Sequence, residues 1–406
     1  MRMKFNKSRQ LLLVSAASLL VAGLVTACAT LTVDFVFVTS AKAAGANNYG
    51  EIDVFEVNSE SGHMRQIPTS PFPSAGRNPV AEAVSADNAN LFVVNQDDNS
   101  IVQFVIGNDG KLYPYYTFNT PGIYPLAIAV NGSNLFIVDT YQPLPTCSTA
   151  APCSGSIGVF PLTASTSSTP VKPGTPAINP STTANYWPLL VPGKPSDVIV
   201  PTSVNVLASG GYVYVSAYDT TALPHVGYVF GFTVGSGGVL APLSGSPFVA
   251  GVQPSAIASD ASGKYVYVTD FTRGNVLGFS VASGLLTPLS GNPFPAGNAP
   301  TAIVVDTAYS YAYVANSVDD NITAYSISNG ALTRIGSYPT GLQPVAIGID
   351  PSTNHFLYTA NFLGNTVSGF QLSSTAGTLL DTQGSPFPSN AQPTAVAAIP
   401  HGTAKK

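Results

Sequence analysis

Charge is what this chain has least of. Only 9% of its 406 residues are Asp, Glu, Lys or Arg, against about a quarter in an ordinary soluble domain. Four of the 15 basic residues, Arg2, Lys4, Lys7 and Arg9, stand in the first nine positions, leaving 11 Lys/Arg against 20 Asp/Glu beyond them. A nucleic-acid surface needs clustered cations to displace phosphate counterions, and no such cluster exists. That class is excluded. Histidine is nearly as scarce: His63, His225, His355 and His401 are too few and too scattered for a metal cluster. Standard catalytic signatures are missing as well, with no Gly-x-Ser-x-Gly elbow, no His-Glu-x-x-His and no phosphate-cradling glycine loop. Helix signals are nearly absent. What is abundant is Gly (37), Pro (34) and a 45% hydrophobic content, ample for a core.

The first 27 residues read as an export signal, with a basic start, an uncharged run from Leu11 to Ala27 and small residues after it. Leu24-Val25-Thr26-Ala27-Cys28 resembles a bacterial lipobox, which makes Cys28 the lipidated first residue of the mature chain and 28–32 a tether. Two other readings remain open. The stretch without charge between Arg9 and Asp34 is long enough to span a bilayer, and Ala41-Lys42-Ala43 is an A-x-A cleavage site. The expected location is outside the cytoplasm, as a periplasmic or cell-surface lipoprotein held by its lipid alone. In such an oxidising compartment Cys147 and Cys153, with five residues between them including a proline, are expected to form a local disulfide rather than two free thiols.

Internal repetition decides the fold. Gln253-Pro254-Ser255-Ala256-Ile257, Ala299-Pro300-Thr301-Ala302-Ile303, Gln343-Pro344-Val345-Ala346-Ile347 and Gln392-Pro393-Thr394-Ala395-Val396 are clear copies of one unit. Weaker copies begin at Pro79, Pro125 and Pro195, for seven in all, with a period near 46 residues and two stretched intervals. After each proline comes a short apolar run, a turn, a segment with an aromatic (Phe92, Phe136, Tyr214, Tyr267, Tyr313, Tyr358), a third strand and a short polar fourth. Four strands at this period describe a propeller blade. Residues 33–78 supply strands two to four of a blade without a first, and 393–399 supply a first strand with nothing after it. Joining them closes a ring, which removes the long unpaired edges an open sheet would leave. The expected fold is therefore all-β: a seven-bladed β-propeller of four-stranded blades over 33–400. The extra length of the third unit is assigned to insertions at 141–154 and 163–184, the second a Ser/Thr/Pro tract read as a surface excursion. Trp187 is placed on the rim, with carbohydrate stacking as its other reading, and 401–406 is a tail.

Tyr267-Val268-Thr269-Asp270, Tyr313-Val314-Ala315-Asn316 and Tyr358-Thr359-Ala360-Asn361 resemble the YVTN-type repeat of seven-bladed propellers. The Ser-Pro-Phe elements at Ser70–Phe72, Ser246–Phe248 and Ser385–Phe387, and Asn-Pro-Phe at Asn292–Phe294, are similar to those of bacterial lactonase-like propellers. The resemblance implies a hydrolase that opens a lactone with acidic, basic and Arg/His groups at the mouth of the central channel; from the residues themselves no cofactor or metal is expected.

A symmetric scaffold acquires a site where one blade departs from its siblings. The third position after the blade proline is Ile or Val except for Glu82, and the second is Ala except for Asp197. A carboxylate on an innermost strand is costly unless hydrated or paired, and a catalytic one with raised proton affinity looks the same. Arg77, Arg273 and His225 map to segments expected at the same end of the ring. These five are the candidate catalytic residues. The recurring Asn95, Asp139, Asp270, Asn316 and Asn361 are expected to serve turns, as are Asp97-Asp98-Asn99 and Asp319-Asp320-Asn321. Two functions follow: a lactonase for a neutral or singly charged lactone, since a phosphosugar would demand several cations, or a non-catalytic propeller binding a protein or glycan. Either is expected to be a monomer.

Overall fold

The computed structural model describes residues 32–147, 150–166, 169–350 and 355–400. They form seven antiparallel sheets around a common axis, with no α-helix among them. A blade wedged between two others buries both faces, so its inner strands are continuously apolar rather than alternating. The strand Asn90–Asn95 is buried at every position, and Phe356–Asn361 likewise. Proline opens the innermost strand of most blades because its missing N–H sits where no ladder bond is needed.

In three blades the tyrosine of the second strand is bonded to the next blade. Tyr214 Oη donates to Gly284 O at 2.7 Å, Tyr267 to Gly330 O at 2.9 Å and Tyr313 to Gly377 O at 3.1 Å, each crossing to the next blade. A buried phenol needs such a partner, and the turn that offers it needs glycine: Gly330 has φ +83° and a Cβ there would stand 2.4 Å from Tyr265. A second set of stitches runs around the channel. Ser255 Oγ donates to Pro300 O at 2.5 Å, Thr301 Oγ1 to Pro344 O at 2.8 Å and Thr394 Oγ1 to Pro79 O at 2.9 Å.

The ring closes as the repeat demands. The strand Pro393–Pro400 pairs with Thr32–Ala44 from Asp34↔Pro400 to Ser40↔Pro393, completing a blade with Tyr49–Asn58 and Met64–Gln66. The four Ser/Asn-Pro-Phe elements each contain a cis X–Pro bond and bring Phe72, Phe248, Phe294 and Phe387 back onto the third strand of their blade.

Three expectations need correction. The fourth repeat begins at Pro201, not Pro195. Pro201 faces Ala217 and the register slips before Ser203, as Pro254 faces Asp270 and slips before Ala256. The preceding insertion carries another proline, Pro195, six residues upstream of the true one, which misaligns the motif. Asp197 consequently stands in a turn ahead of the strand Ile199–Val206 and not on it. Second, the 163–184 tract is docked rather than a free excursion. Its Lys172–Pro173 segment pairs with Leu162 and Thr163 as the outer strand of the third blade, and Val171 and Ala177 are buried. Third, Trp187 is 3% exposed in the core between the third and fourth blades, where no sugar can reach it. Cys147 and Cys153 form the expected disulfide, with Cα atoms 5.5 Å apart. The N-terminal signal, Cys28 and the 401–406 tail lie outside the described residues.

Candidate functional site

Antiparallel pairing sets Pro79 opposite Asn95, Pro300 opposite Asn316 and Pro344 opposite Asn361. The segments before each innermost strand and the turns after each second strand therefore share one end of the ring, the channel mouth. Five residues immediately before a blade proline are held at positive φ there: Asn78, Tyr124, Ala299, Gln343 and Gln392, between +50° and +62°. A left-handed non-glycine residue costs on the order of 1 kcal/mol or more, and polar side chains of the preceding blade hold several in place. Asn99 Oδ1 accepts from Tyr124 N at 2.7 Å, Asp320 Oδ1 from Gln343 N at 2.7 Å and Asn365 Oδ1 from Gln392 N at 2.9 Å.

Three of the recurring Asx positions, Asp139, Asp270 and Asn316, are structural and reach back to amides ahead of the innermost strand rather than mainly to those that follow. Asp270 accepts from Val252 N at 2.7 Å and Gln253 N at 3.2 Å, with only Arg273 N downstream at 3.2 Å. Asn316 accepts from Gly297 N and Asp139 from Gly122 N, both at 3.0 Å. Burial lifts Asp139 to about 7 against the hydrogen bonds of Thr120 and Gly122.

Glu82 lies in the seam between the innermost strands of the first and second blades. Its Oε2 accepts the Thr39 hydroxyl at 2.5 Å and the carboxylate also receives the Ala397 amide. The residue is half-buried, and Oε1 is buried without a partner. Desolvation outweighs both hydrogen bonds and raises its pKa to about 8. Thr39 is the functional neighbour that sequence reasoning missed. The signal was available: Phe37-Val38-Thr39-Ser40 aligns with Tyr267-Val268-Thr269-Asp270, and Thr39 faces Ala395 as Thr269 faces Ala256.

The other four candidates are elsewhere. Arg77 is spent on Asp98, with Nε to Oδ1 at 2.7 Å and its own amide to Oδ2 at 2.7 Å. Burial works against the Asp98 charge, but these bonds hold its carboxyl below the usual range. Asp197 lies 3.4 Å from Lys194 Nζ, which also reaches Tyr228 Oη at 3.5 Å. Beside it Asp219, unflagged by the sequence, is opposed by burial but held below the usual carboxylate range by the amide and hydroxyl of Thr221. His225 packs against Tyr218 at 5.4 Å with Nδ1 on Ala222 O. Alternation along Tyr212–Asp219 sends Tyr218 to the face opposite Asp219, so His225 and Asp197 occupy different sides of the fourth blade. Arg273 is exposed on its turn with no carboxylate partner. Three cavities, of about 530, 140 and 510 Å³, are lined by none of the five. Among the described residues no group of three potential metal ligands occurs.

Comparison with known proteins agrees with this geometry. The structure superposes on a candidate 6-phosphogluconolactonase from Bacteroides fragilis NCTC 9343 with TM-score 0.70 and 18% identity, covering 91% of this chain and 99% of that one. A second candidate 6-phosphogluconolactonase, from Bacteroides uniformis ATCC 8492, gives 0.68 and 18%, covering 91% and 100%. The Pseudomonas aeruginosa periplasmic gluconolactonase gives 0.66 and 17%, covering 90% and 99%. No curated protein matches the sequence. At these identities the likeness is one of fold: the chain is a seven-bladed β-propeller, and over residues 284–397 it matches the family model "Lactonase, 7-bladed beta-propeller".

Proposed function

We propose that this is an exported, membrane-tethered propeller that hydrolyses a neutral or singly charged lactone at the channel mouth. One observation carries the reading: the single ionisable side chain set where the six sibling blades place Ile or Val is a carboxyl with one oxygen anchored by Thr39 and the other left without a partner. With its pKa near 8, Glu82 exchanges a proton close to neutral pH, as a general base must. Water attacks the lactone carbonyl, its proton passes to Glu82, and the ring oxygen leaves to take a proton as the hydroxy acid forms. The match of residues 284–397 to a lactonase family supports the reaction class. The substrate class follows from charge. Arg77 is neutralised by Asp98 and Lys194 by Asp197, which leaves a phosphate only Arg273 among the described candidate cations, too few for a phosphosugar.

The disulfide supports export. Thr32 lies at the end of its strand remote from Ser40, which faces Pro393 at the mouth. A lipid on Cys28 would hold the mouth away from its membrane. No described helix is long and apolar enough to cross one.

Turnover of a lactone panel by the purified domain is the test. Wild type is expected to exceed buffer rates, rising with pH to a plateau above about 8, and Glu82→Gln to fall at least about a hundredfold. Rates equal to buffer refute catalysis. The second reading, a non-catalytic propeller binding a protein or glycan, is favoured by the dispersal of Arg77, Asp197, His225 and Arg273, and it would then stand.

A further inference from the structure

Outermost strands are short in five blades, such as Met64–Gln66, Leu240–Pro242 and Leu379–Asp381. The second blade departs from this. Its outer strand Leu112–Asn119 runs eight residues and exposes three tyrosines, Tyr113 at 53%, Tyr115 at 46% and Tyr116 at 41%. The sixth blade's long outer strand, Ala331–Pro339, has no such row. Pro114 interrupts the free edge of Leu112–Asn119, so the strand is unsuited to adding another by backbone pairing.

Between this strand and the docked Lys172–Pro173 segment lies a groove of about 510 Å³. Its floor is Phe118 packed edge-on against Phe160 at 4.8 Å, and Tyr116 lies beside Phe118 at 5.8 Å with the rings 22° apart. Lys172 Nζ sits 5.2 Å from the Tyr116 ring centre, and none of the groove's lining residues is acidic. Lys172 belongs to none of the described ion pairs. The segment is pinned rather than loose: Thr163 Oγ1 bonds Lys172 O at 3.0 Å and Lys172 N at 3.2 Å, and Gly174 N bonds Pro161 O at 2.8 Å. Against the protein's net charge of −5, the groove's one charge is the unpaired Lys172 cation, so its rigid aromatic lining favours a ligand carrying a negative group.

We propose that this groove binds an acidic polysaccharide, a chain containing uronate residues. A pyranose ring offers a flat C–H face to aromatic rings and hydroxyls around its edge. Tyr116 and Phe118 meet the face, Asn119 and Thr175 the edge, and the carboxylate pairs with Lys172 in a charge-assisted bond. Tyr113 and Tyr115 extend the aromatic row to neighbouring sugars. The site is on the outer wall and owes nothing to chemistry at the channel.

Calorimetric titration of the whole domain with trigalacturonate, maltotriose and triglutamate tests this. Trigalacturonate is expected to bind at least about tenfold more tightly than either of the others. Lys172→Met should cancel the preference over maltotriose, and Tyr116→Ala should weaken trigalacturonate at least about tenfold. The double change Tyr113→Ser/Tyr115→Ser, at exposed positions that the fold does not need, should weaken longer oligouronates more than the trimer. Glu82→Gln should bind as wild type, separating this site from the lactonase reading. No binding of trigalacturonate at millimolar concentration, equal binding of triglutamate, or unchanged affinity in the Lys172 and Tyr116 variants would overturn the assignment.

Discussion

Replacing Glu82 by Gln should make the protein more stable in alkali and change it little in acid. In the folded state burial raises the Glu82 pKa from an ordinary 4.5 to about 8, so the native protein holds this proton more tightly than the unfolded chain does. Stability from this difference is fully present below about pH 4.5 and is lost as the pH climbs to about 8, beyond which it no longer changes. Going from 4.5 to about 8, at about 1.36 kcal/mol for each tenfold change in proton affinity, sets a ceiling near 5 kcal/mol. Channel water and relaxation of Thr39 reduce this to an expected loss of about 2–4 kcal/mol. Glutamine keeps a hydrogen-bonding oxygen for Thr39 and cannot ionise. Unfolding entropy scales with chain length, so each kcal/mol moves the midpoint of a ring this size by about 1–2 °C. Thermal unfolding followed by circular dichroism at pH 5, 7 and 9 should therefore show variant and wild type within about 2 °C at pH 5. At pH 9 the variant should lead by about 3–6 °C. A difference that stays constant from pH 5 to 9 would refute the claim that this carboxyl is neutral in the folded ring.

Two further outcomes follow from the fold. Tyr267→Phe removes the hydroxyl that binds Gly330 O and strands a buried carbonyl, so it should cost about 1–2 kcal/mol, read as a lower denaturation midpoint with unchanged slope. Truncation before Pro393 takes away the strand paired with seven residues from Asp34 to Ser40. The exposed edge should give aggregation or loss of the cooperative transition, and a monomeric, cooperatively folding truncation would contradict the closure.

Much of the architecture was readable because it is repetitive. Pro254, Pro300, Pro344 and Pro393 sit at matched registers, since a strand flanked by two identical neighbours meets the same environment each time. The fourth blade misled because an inserted segment has no sibling for comparison, and Pro195 stood where Pro201 does the work. The candidate site was legible only at Glu82, an apolar position filled by an acid. Arg77 looked like a free cation in the sequence because Asp98, 21 residues away, becomes its partner only when the turn after the second strand folds over the segment before the first. The outer tyrosines of Leu112–Asn119 read as ordinary strand residues, for β propensity does not say which edge is covered.

Sequence alone determined the ring: the number of units, their four-strand order and the exchange of strands between the two ends. These depend on local periodicity and on the requirement that every edge be paired. Tertiary structure alone decided which polar groups are spent on one another and which remain available. Pairing of side chains depends on distances between different blades, and no repeat encodes those.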